Sequence, residues 1–227
     1  MPTIVAIIPA LNEEAAIPQV VRAIPRDVIG RVIVVDNGST DQTAAAALAA
    51  GAEVASQPAR GYGNACRAGV EAAPEADILV FLDGDGSFDP AECRRIIAPI
   101  IEGRADLVLG SRELGGASVS AILPHQRLGN RLVALLLRRL YGLRVTGVGP
   151  FRAIRGSTLA ALAMREPTYG WPTEMVVKAA RAGARIVEVP ASYRARVGGE
   201  SKVSGTLRGT ILAGYRMLAL TLKYARG

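Results

Sequence analysis

Two aspartates directly after an apolar run are the strongest chemical feature of the sequence. Residues 78–82 read ILVFL, and Asp83 and Asp85 follow with one glycine between them. A short apolar run bounded by turn residues is typical of a strand buried in a parallel sheet, where ligands bind beyond the strand's carboxyl end. Two carboxylates this close repel each other unless a cation lies between them. The pair therefore predicts a Mg²⁺ or Mn²⁺ site. The alternative is an ordinary polar turn.

The segments that must position this pair alternate between strand and helix patterns. Such alternation is typical of an α/β protein with a doubly wound, parallel sheet. No repeat or linker divides the chain, so we expect residues 1–204 to form one domain. Apolar, β-branched runs predict strands at residues 3–8, 31–35, 53–56, 78–82, 107–109, 151–154 and 185–189.

Polar residues also follow the first two predicted strands. Asn12 and Glu13 come after the first strand, where they either complement the dipole of the next helix or contact a ligand; both interpretations stay open. Asp36 ends the second strand. Ser39 and Gln42 match a capping box for the following helix. Capping does not account for Asp36, which is therefore a candidate ligand-binding residue.

The charge of the chain indicates an anionic partner. The 227 residues include 27 Lys and Arg against 20 Asp and Glu, a net charge of +7. Such a surplus suits a phosphate-rich ligand, a membrane surface or a nucleic acid. Nucleic acid is disfavoured because the cations are not interleaved with aromatic residues. The single histidine, His125, excludes a multi-histidine zinc site. The first 14 residues lack the basic region of a signal peptide, so we expect a cytoplasmic protein.

The C-terminal segment concentrates the positive charge. Residues 206–224 predict an amphipathic helix within the segment 205–227, in which the central Arg216 would cost about 2.5–3.5 kcal/mol in a membrane span. The helix either packs on its own domain or lies on an anionic membrane, where each nearby cation contributes about 1 kcal/mol. Its apolar stripe consists of Leu207, Ile211, Tyr215, Leu218 and Leu222.

Six short segments, taken in order, resemble the family-2 inverting glycosyltransferases, and most closely the dolichyl- or polyprenyl-phosphate mannosyltransferase branch. The resemblance covers residues 3–204 and implies a GT-A fold and a nucleotide-sugar donor of the GDP-mannose or UDP-glucose type. Three features depart from the family: Ser87 replaces a longer polar ligand, Thr146 or Gly147 replaces an acid, and the transmembrane helices of many relatives are missing. The segments are IPALNEE, VVDNGSTDQT, FLDGDGSFDP, LGSR, PFRAI and GGESKVSG.

The same resemblance implies roles for individual residues. Near the base and ribose of the donor it places Pro9, Asn12, Glu13 and Asp36, with Asp83 also on the donor side. Around the metal it places Asp83, Asp85 and Ser87. Where relatives hold the donor diphosphate and the acceptor phosphate it places Arg112, Arg127, Arg196, Ser201 and Lys202. Glu174 falls roughly where relatives that use a hydroxyl acceptor have their catalytic acidic residue.

Three functions follow from these residues. The leading hypothesis is metal-dependent transfer of a hexose to polyprenyl phosphate at the cytoplasmic face of an anionic membrane, a hypothesis that includes a membrane partner subunit. A phosphate acceptor is already an anion and needs cations to place it more than a base to activate it. The second hypothesis is a soluble enzyme with a hydroxyl acceptor and Glu174 as its base. The third, a non-catalytic sugar-nucleotide-binding subunit, is disfavoured by the intact pair Asp83 and Asp85.

Overall fold

The computed structural model describes residues 1–116, 124–197 and 207–225. Strands are β1 Ile4–Ala10, β2 Arg31–Asp36, β3 Glu53–Ser56, β4 Ile78–Phe81, β5 Leu107–Ser111, β6 Arg152–Arg155 and β7 Ile186–Pro190. Helices are α1 Ile17–Ala23, α2 Thr43–Ala49, α3 Tyr62–Glu71, α4 Cys93–Ile101, α5 Pro124–Tyr141, α6 Gly156–Leu162, α7 Trp171–Arg181 and α8 Leu207–Lys223. Up to β5 the elements run in the alternating order that the sequence predicts, and beyond it two helices, α6 and α7, follow each other.

The strands form one mostly parallel sheet in the order β3-β2-β1-β4-β6-β5-β7. The exception to the predicted parallel arrangement is β6, which runs antiparallel to both β4 and β5. Its first residue, Arg152, pairs with Phe81 at the carboxyl end of β4. The chain therefore enters β6 from the carboxyl edge of the sheet and must run the opposite way. This keeps the turn before β6 at the edge where ligands bind.

Apolar side chains on alternate strand residues build a core on each face of the sheet. Along β1, Ile4 and Ile8 point into one core with residues of α1 and α4, whereas Val5 and Ile7 point into the other with residues of α3 and α7. All four residues of β4 are buried. Each fully buried Val, Leu, Ile or Phe contributes roughly 1.5–3 kcal/mol. The stretch that carries the aspartates is thus the rigid centre of the fold.

Helix α8 packs on its own domain, but not through the whole stripe predicted for it. Met217, Leu218 and Tyr224 pack against the core, and the backbone oxygen of Thr221 accepts a hydrogen bond of 2.6 Å from the Tyr141 hydroxyl on α5. Tyr215 lies on the exposed side of the helix. Neither α8 nor any other helix in the described segments is long and apolar enough to cross a bilayer.

Candidate active site

The carboxyl ends of β1 and β4 form the crevice in which the candidate residues meet. Strand β1 lies between β2 and β4, so the chain leaves it toward β2 on one side and returns later to β4 on the other. This reversal of strand order is where open α/β sheets bind ligands. Glu13 follows β1, and Asp83 and Asp85 follow β4. The glycine between the aspartates packs closely, because a Cβ at Gly84 would lie 2.8 Å from Cδ1 of Ile17 and would force that side chain to shift.

Asp85 is held by both of its oxygens. Its Oδ1 accepts a hydrogen bond of 2.9 Å from the Ser87 amide, and its Oδ2 accepts one of 2.9 Å from Nη2 of Arg196. The same Nη2 lies 3.1 Å from Oε1 of Glu13. Ser87 itself is buried, and its described contribution is this backbone amide. Arg196 thus joins the carboxylates that follow two different strands.

Residues 193–197, here called the strap, run along the aspartate turn and carry Arg196 to it. The Val197 amide donates to the Asp85 carbonyl at 3.0 Å, and the Arg194 amide donates to the Ser87 carbonyl at 2.9 Å. Tyr193 forms a β-bridge with Phe88 and packs on its ring at 5.1 Å between centroids. The strap was not identified from the sequence, because its contacts lie about a hundred residues away along the chain.

The environment of Asp83 favours a bound cation. Asp83 keeps part of its surface exposed, yet burial, with the neighbouring Asp85 as the second cause, raises the pKa of Asp83 to about 7. Arg152 and Arg112 act in the opposite direction. A carboxylate in this position is stabilised by a bound cation, which favours its charged form. The site therefore fits a hard divalent cation.

The protein alone offers few ligands for such a cation. Within the segments that the structure describes, no three His, Cys, Asp or Glu side chains converge as a metal site. Mg²⁺ is commonly held by one or two carboxylates together with substrate phosphates and water. Asp83 and Asp85 meet that description, and the remaining oxygens are available from a diphosphate ligand and water.

The loops after β1 and β2 interlock and place the predicted donor-binding residues. The Asn12 amide donates to the Ser39 hydroxyl at 3.0 Å, and Oδ1 of Asn12 accepts from the Thr40 amide at 2.8 Å. Asp36 accepts from the Ser39 amide at 3.0 Å. Ser39 is therefore not the N-cap of a capping box, as the sequence pattern predicted; α2 begins at Thr43, four residues later. Pro9 lies within β1, beside Val35 of β2.

Two glycines bring the start of α3 close to the neighbouring loop. A Cβ at Gly63 would lie 2.0 Å from the Glu166 carbonyl, so no side chain fits there. The Gly61 amide donates to Oδ1 of Asn37 at 2.8 Å, which ties α3 to the loop after β2. Between these glycines, the Tyr62 hydroxyl accepts a 3.3 Å hydrogen bond from the buried Arg152. The PFRAI segment contributes to the family resemblance, but the sequence analysis assigned no role to Arg152.

A glutamate from β7, Glu188, contacts the loop in which the sequence has Thr146 and Gly147. Oε2 of Glu188 accepts a hydrogen bond of 2.8 Å from the Thr146 amide, and Oε1 accepts one of 3.0 Å from the Thr146 hydroxyl. Burial raises the pKa of Glu188. Together with Ser111 and Arg112 these residues line a small pocket at the carboxyl ends of β5 and β7. Sequence reasoning missed Glu188, because only the sheet brings it beside that loop.

Glu174 makes its described contacts away from the aspartate turn, and its role as a catalytic base stays a prediction. Its side chain is 1% exposed and accepts hydrogen bonds from the backbone amides of Arg165 and Glu166. Lys178 lies 2.8 Å away and the Tyr224 hydroxyl donates to it at 2.8 Å. Burial alone would raise the pKa of Glu174, but these donors outweigh it and hold the pKa below its usual value. Glu174 links α7 to α8.

The cations predicted to hold phosphates are placed only in part. The Arg112 guanidinium stacks on the Tyr193 ring at 4.9 Å from the ring centroid. The strap therefore positions both Arg112 and Arg196. Arg127 lies on α5, but its side chain is outside the described residues, as are Ser201 and Lys202 entirely. The structure therefore brings two of the five cationic and hydroxyl candidates to the aspartate turn.

The mostly parallel sheet, with paired aspartates at its switch point, has the GT-A fold of nucleotide-sugar transferases. The chain belongs to glycosyltransferase family 2, whose family model matches residues 5–162. It is a glycosyltransferase, and a divalent cation is the cofactor consistent with its class.

Three known proteins illustrate the similarity. An uncharacterized glycosyltransferase of Mycobacterium tuberculosis (strain ATCC 25618 / H37Rv) is 41% identical over 211 residues, covering 92% of this chain and 94% of the relative. An undecaprenyl-phosphate mannosyltransferase of Micrococcus luteus is 34% identical over 220 residues, covering 91% and 89%. Glucosyl-3-phosphoglycerate synthase from Mycobacterium tuberculosis, solved with Mn²⁺, UDP and glucosyl-3-phosphoglycerate, superposes with a TM-score of 0.78 at 27% identity, covering 99% of this chain and 80% of that chain.

Proposed function

We propose that this protein transfers a hexose, with inversion, from a nucleoside-diphosphate sugar to a polyprenyl phosphate at the cytoplasmic face of an anionic membrane. The observation that carries the proposal is a cationic and partly apolar surface on α5 and α8, here called the α5/α8 surface. The two helices pack against each other. Neither helix contains an Asp or Glu in its sequence.

The α5/α8 surface combines the two attractions that hold a protein on an anionic bilayer. Among the side chains that the structure describes on these helices, five large apolar ones remain exposed, and so do cations of both helices, such as Arg139 and Lys223. Apolar burial and attraction to anionic lipid together determine the strength of interfacial binding. The exposed fractions are 44% for Leu132, 49% for Leu135, 42% for Leu140, 68% for Tyr215 and 46% for Leu222.

The chemistry of the site also supports a phosphate acceptor. A hydroxyl acceptor needs a base, and Glu174 is engaged elsewhere by Lys178 and Tyr224. A phosphate monoester is already an anion, so its placement needs a cation such as the Arg112 guanidinium more than it needs a base. A divalent cation at Asp83 and Asp85 would neutralise the departing diphosphate. The relative from Micrococcus luteus, an undecaprenyl-phosphate mannosyltransferase, supports the same acceptor class.

A transfer assay tests the acceptor directly. We expect the purified protein with Mn²⁺ to form a glycolipid from polyprenyl phosphate and GDP-mannose or UDP-glucose, and no product from the uncharged polyprenol. The second candidate is a small anionic acceptor bearing a hydroxyl, which the similarity to glucosyl-3-phosphoglycerate synthase favours. Transfer to 3-phosphoglycerate without transfer to polyprenyl phosphate would replace the proposed acceptor with this one.

Membrane binding through the α5/α8 surface can be tested with one leucine. We expect Leu135→Glu to weaken binding to anionic vesicles by about tenfold or more, because it removes an apolar contact and adds a repelled charge. Co-sedimentation with vesicles of mixed phosphatidylcholine and phosphatidylglycerol measures the loss. Leu48→Glu is the matched control, since Leu48 is a similarly exposed leucine (59%) on α2. Equal vesicle binding by both variants would show that the α5/α8 surface does not contact the membrane.

A further inference from the structure

We propose that Arg196 is a tethered counter-ion that covers the metal-binding oxygen of Asp85 when no donor is bound, so that the divalent cation binds only together with a nucleoside diphosphate. This inference rests on the donor class of the family and not on the proposed lipid acceptor. It concerns the order in which metal and donor enter the site.

The contacts of Arg196 place it in competition with a metal ion. One nitrogen, Nη2, lies 2.9 Å from Oδ2 of Asp85 and 3.1 Å from Oε1 of Glu13. Because Oδ1 of Asp85 is engaged by the Ser87 amide, Oδ2 is the oxygen best placed to bind a cation. The guanidinium now covers that oxygen. A metal ion can reach it only if the guanidinium moves away.

The guanidinium also has unsatisfied hydrogen-bonding capacity. Nε and Nη1 of Arg196 are buried and have no hydrogen-bond partner among the described residues. Buried donors without partners are unfavourable, so these two nitrogens favour an acceptor that the described residues do not supply. A diphosphate offers several acceptor oxygens in the fork geometry that arginine matches. Donor binding would therefore draw the guanidinium off Asp85 and satisfy these nitrogens.

Binding of the metal ion and binding of the diphosphate then depend on each other. The two aspartates alone supply too few oxygens for a hard cation, and Arg196 neutralises part of their charge. The diphosphate supplies the missing metal ligands and, at the same time, a new partner for Arg196. The strap sets the range of this movement, because the backbone of Arg194 and Val197 is bonded to the aspartate turn on either side of Arg196.

Binding of Mn²⁺ to the protein without nucleotide tests the proposal, with free Mn²⁺ measured by electron paramagnetic resonance. We expect Arg196→Ala to bind Mn²⁺ about tenfold more tightly than the wild type, within the 5–150-fold range common for coupling between sites. Arg196→Lys, which keeps the charge, should resemble the wild type. With saturating UDP or GDP, the advantage of Arg196→Ala should disappear, because the wild-type arginine has then left Asp85.

Arg194→Ala is the matched control for net charge and for the strap. It removes one positive charge two residues away, and the described contact of its side chain is with the Gly86 carbonyl, not with a carboxylate. We expect its Mn²⁺ affinity without nucleotide to equal that of the wild type. The proposal is overturned if Arg196→Ala gains no affinity, or if Arg194→Ala gains as much. Thermal unfolding of each variant establishes that the strap remains folded.

Discussion

Replacing Asp85 by asparagine is expected to abolish metal-dependent sugar transfer while leaving the fold intact. The amide keeps the hydrogen bond from the Ser87 amide but loses the charge that holds a divalent cation. Loss of one preorganised electrostatic contact costs about 10²–10³ in kcat, and loss of the metal as well should cost at least that much. Steady-state turnover of the donor with Mn²⁺ measures the effect, and thermal unfolding should show a stable protein.

The control is the same substitution four residues later. Asp89 accepts a hydrogen bond of 3.1 Å from the Ala91 amide at the start of a short helical turn, a role that asparagine also performs. Asp89→Asn should therefore keep its activity. Wild-type activity that survives EDTA, or an active Asp85→Asn variant, would show that the aspartate pair does not hold an essential metal.

Glu174→Gln is expected to weaken the fold rather than the chemistry. The substitution leaves Lys178 without its buried counter-charge and removes an acceptor for the Arg165 and Glu166 amides. Breaking a buried ion pair costs about 3–5 kcal/mol, and an amide that still accepts hydrogen bonds should reduce this to about 2–3 kcal/mol. For a chain of this size the melting temperature should fall by roughly 4–12 °C. Turnover by the folded protein should stay within about threefold, whereas loss of a catalytic base costs about 10²–10⁴.

The loss of stability in Glu174→Gln should depend on pH in a definite direction. The pKa of Glu174 is lower in the folded protein than its usual value of 4.5, so its stabilisation is complete above that pH and is lost as the pH falls. The difference in melting temperature between wild type and Glu174→Gln should therefore shrink below about pH 4.5. Glu71→Gln, which alters an exposed pair with Arg67 on α3, should match the wild type throughout. A folded but inactive Glu174→Gln protein would restore the hydroxyl-acceptor hypothesis.

Local sequence patterns predicted the elements and the strand-end carboxylates well. The apolar run before Asp83 is a fully buried strand, and the sheet places Glu13 and Asp85 at the same edge. These features follow from residues close together in the chain. The antiparallel insertion of β6 between β4 and β5 does not, because strand order is decided by contacts between distant segments.

The contacts that the sequence did not reveal have the same origin. Ser39 matched a local capping pattern, but its hydroxyl instead accepts from the amide of Asn12, 27 residues away. Glu174 matches a catalytic acidic residue of relatives in the sequence, whereas its hydrogen bond from Tyr224, 50 residues away, is visible only in the folded chain. Arg196 was expected at the acceptor phosphate, and its contacts with Asp85 and Glu13, 111 and 183 residues away, are visible only in the folded chain.

The most direct test of this account is the position of Mn²⁺ in crystals grown with UDP or GDP, located by anomalous scattering. We expect a single strong peak within coordination distance of Asp85, about 2.0–2.6 Å for oxygen ligands of hard cations, with the diphosphate completing the shell. The Arg196 guanidinium should have left Asp85 for the phosphate oxygens. A peak remote from Asp83 and Asp85, or a diphosphate bound with Arg196 still on Asp85, would contradict the account.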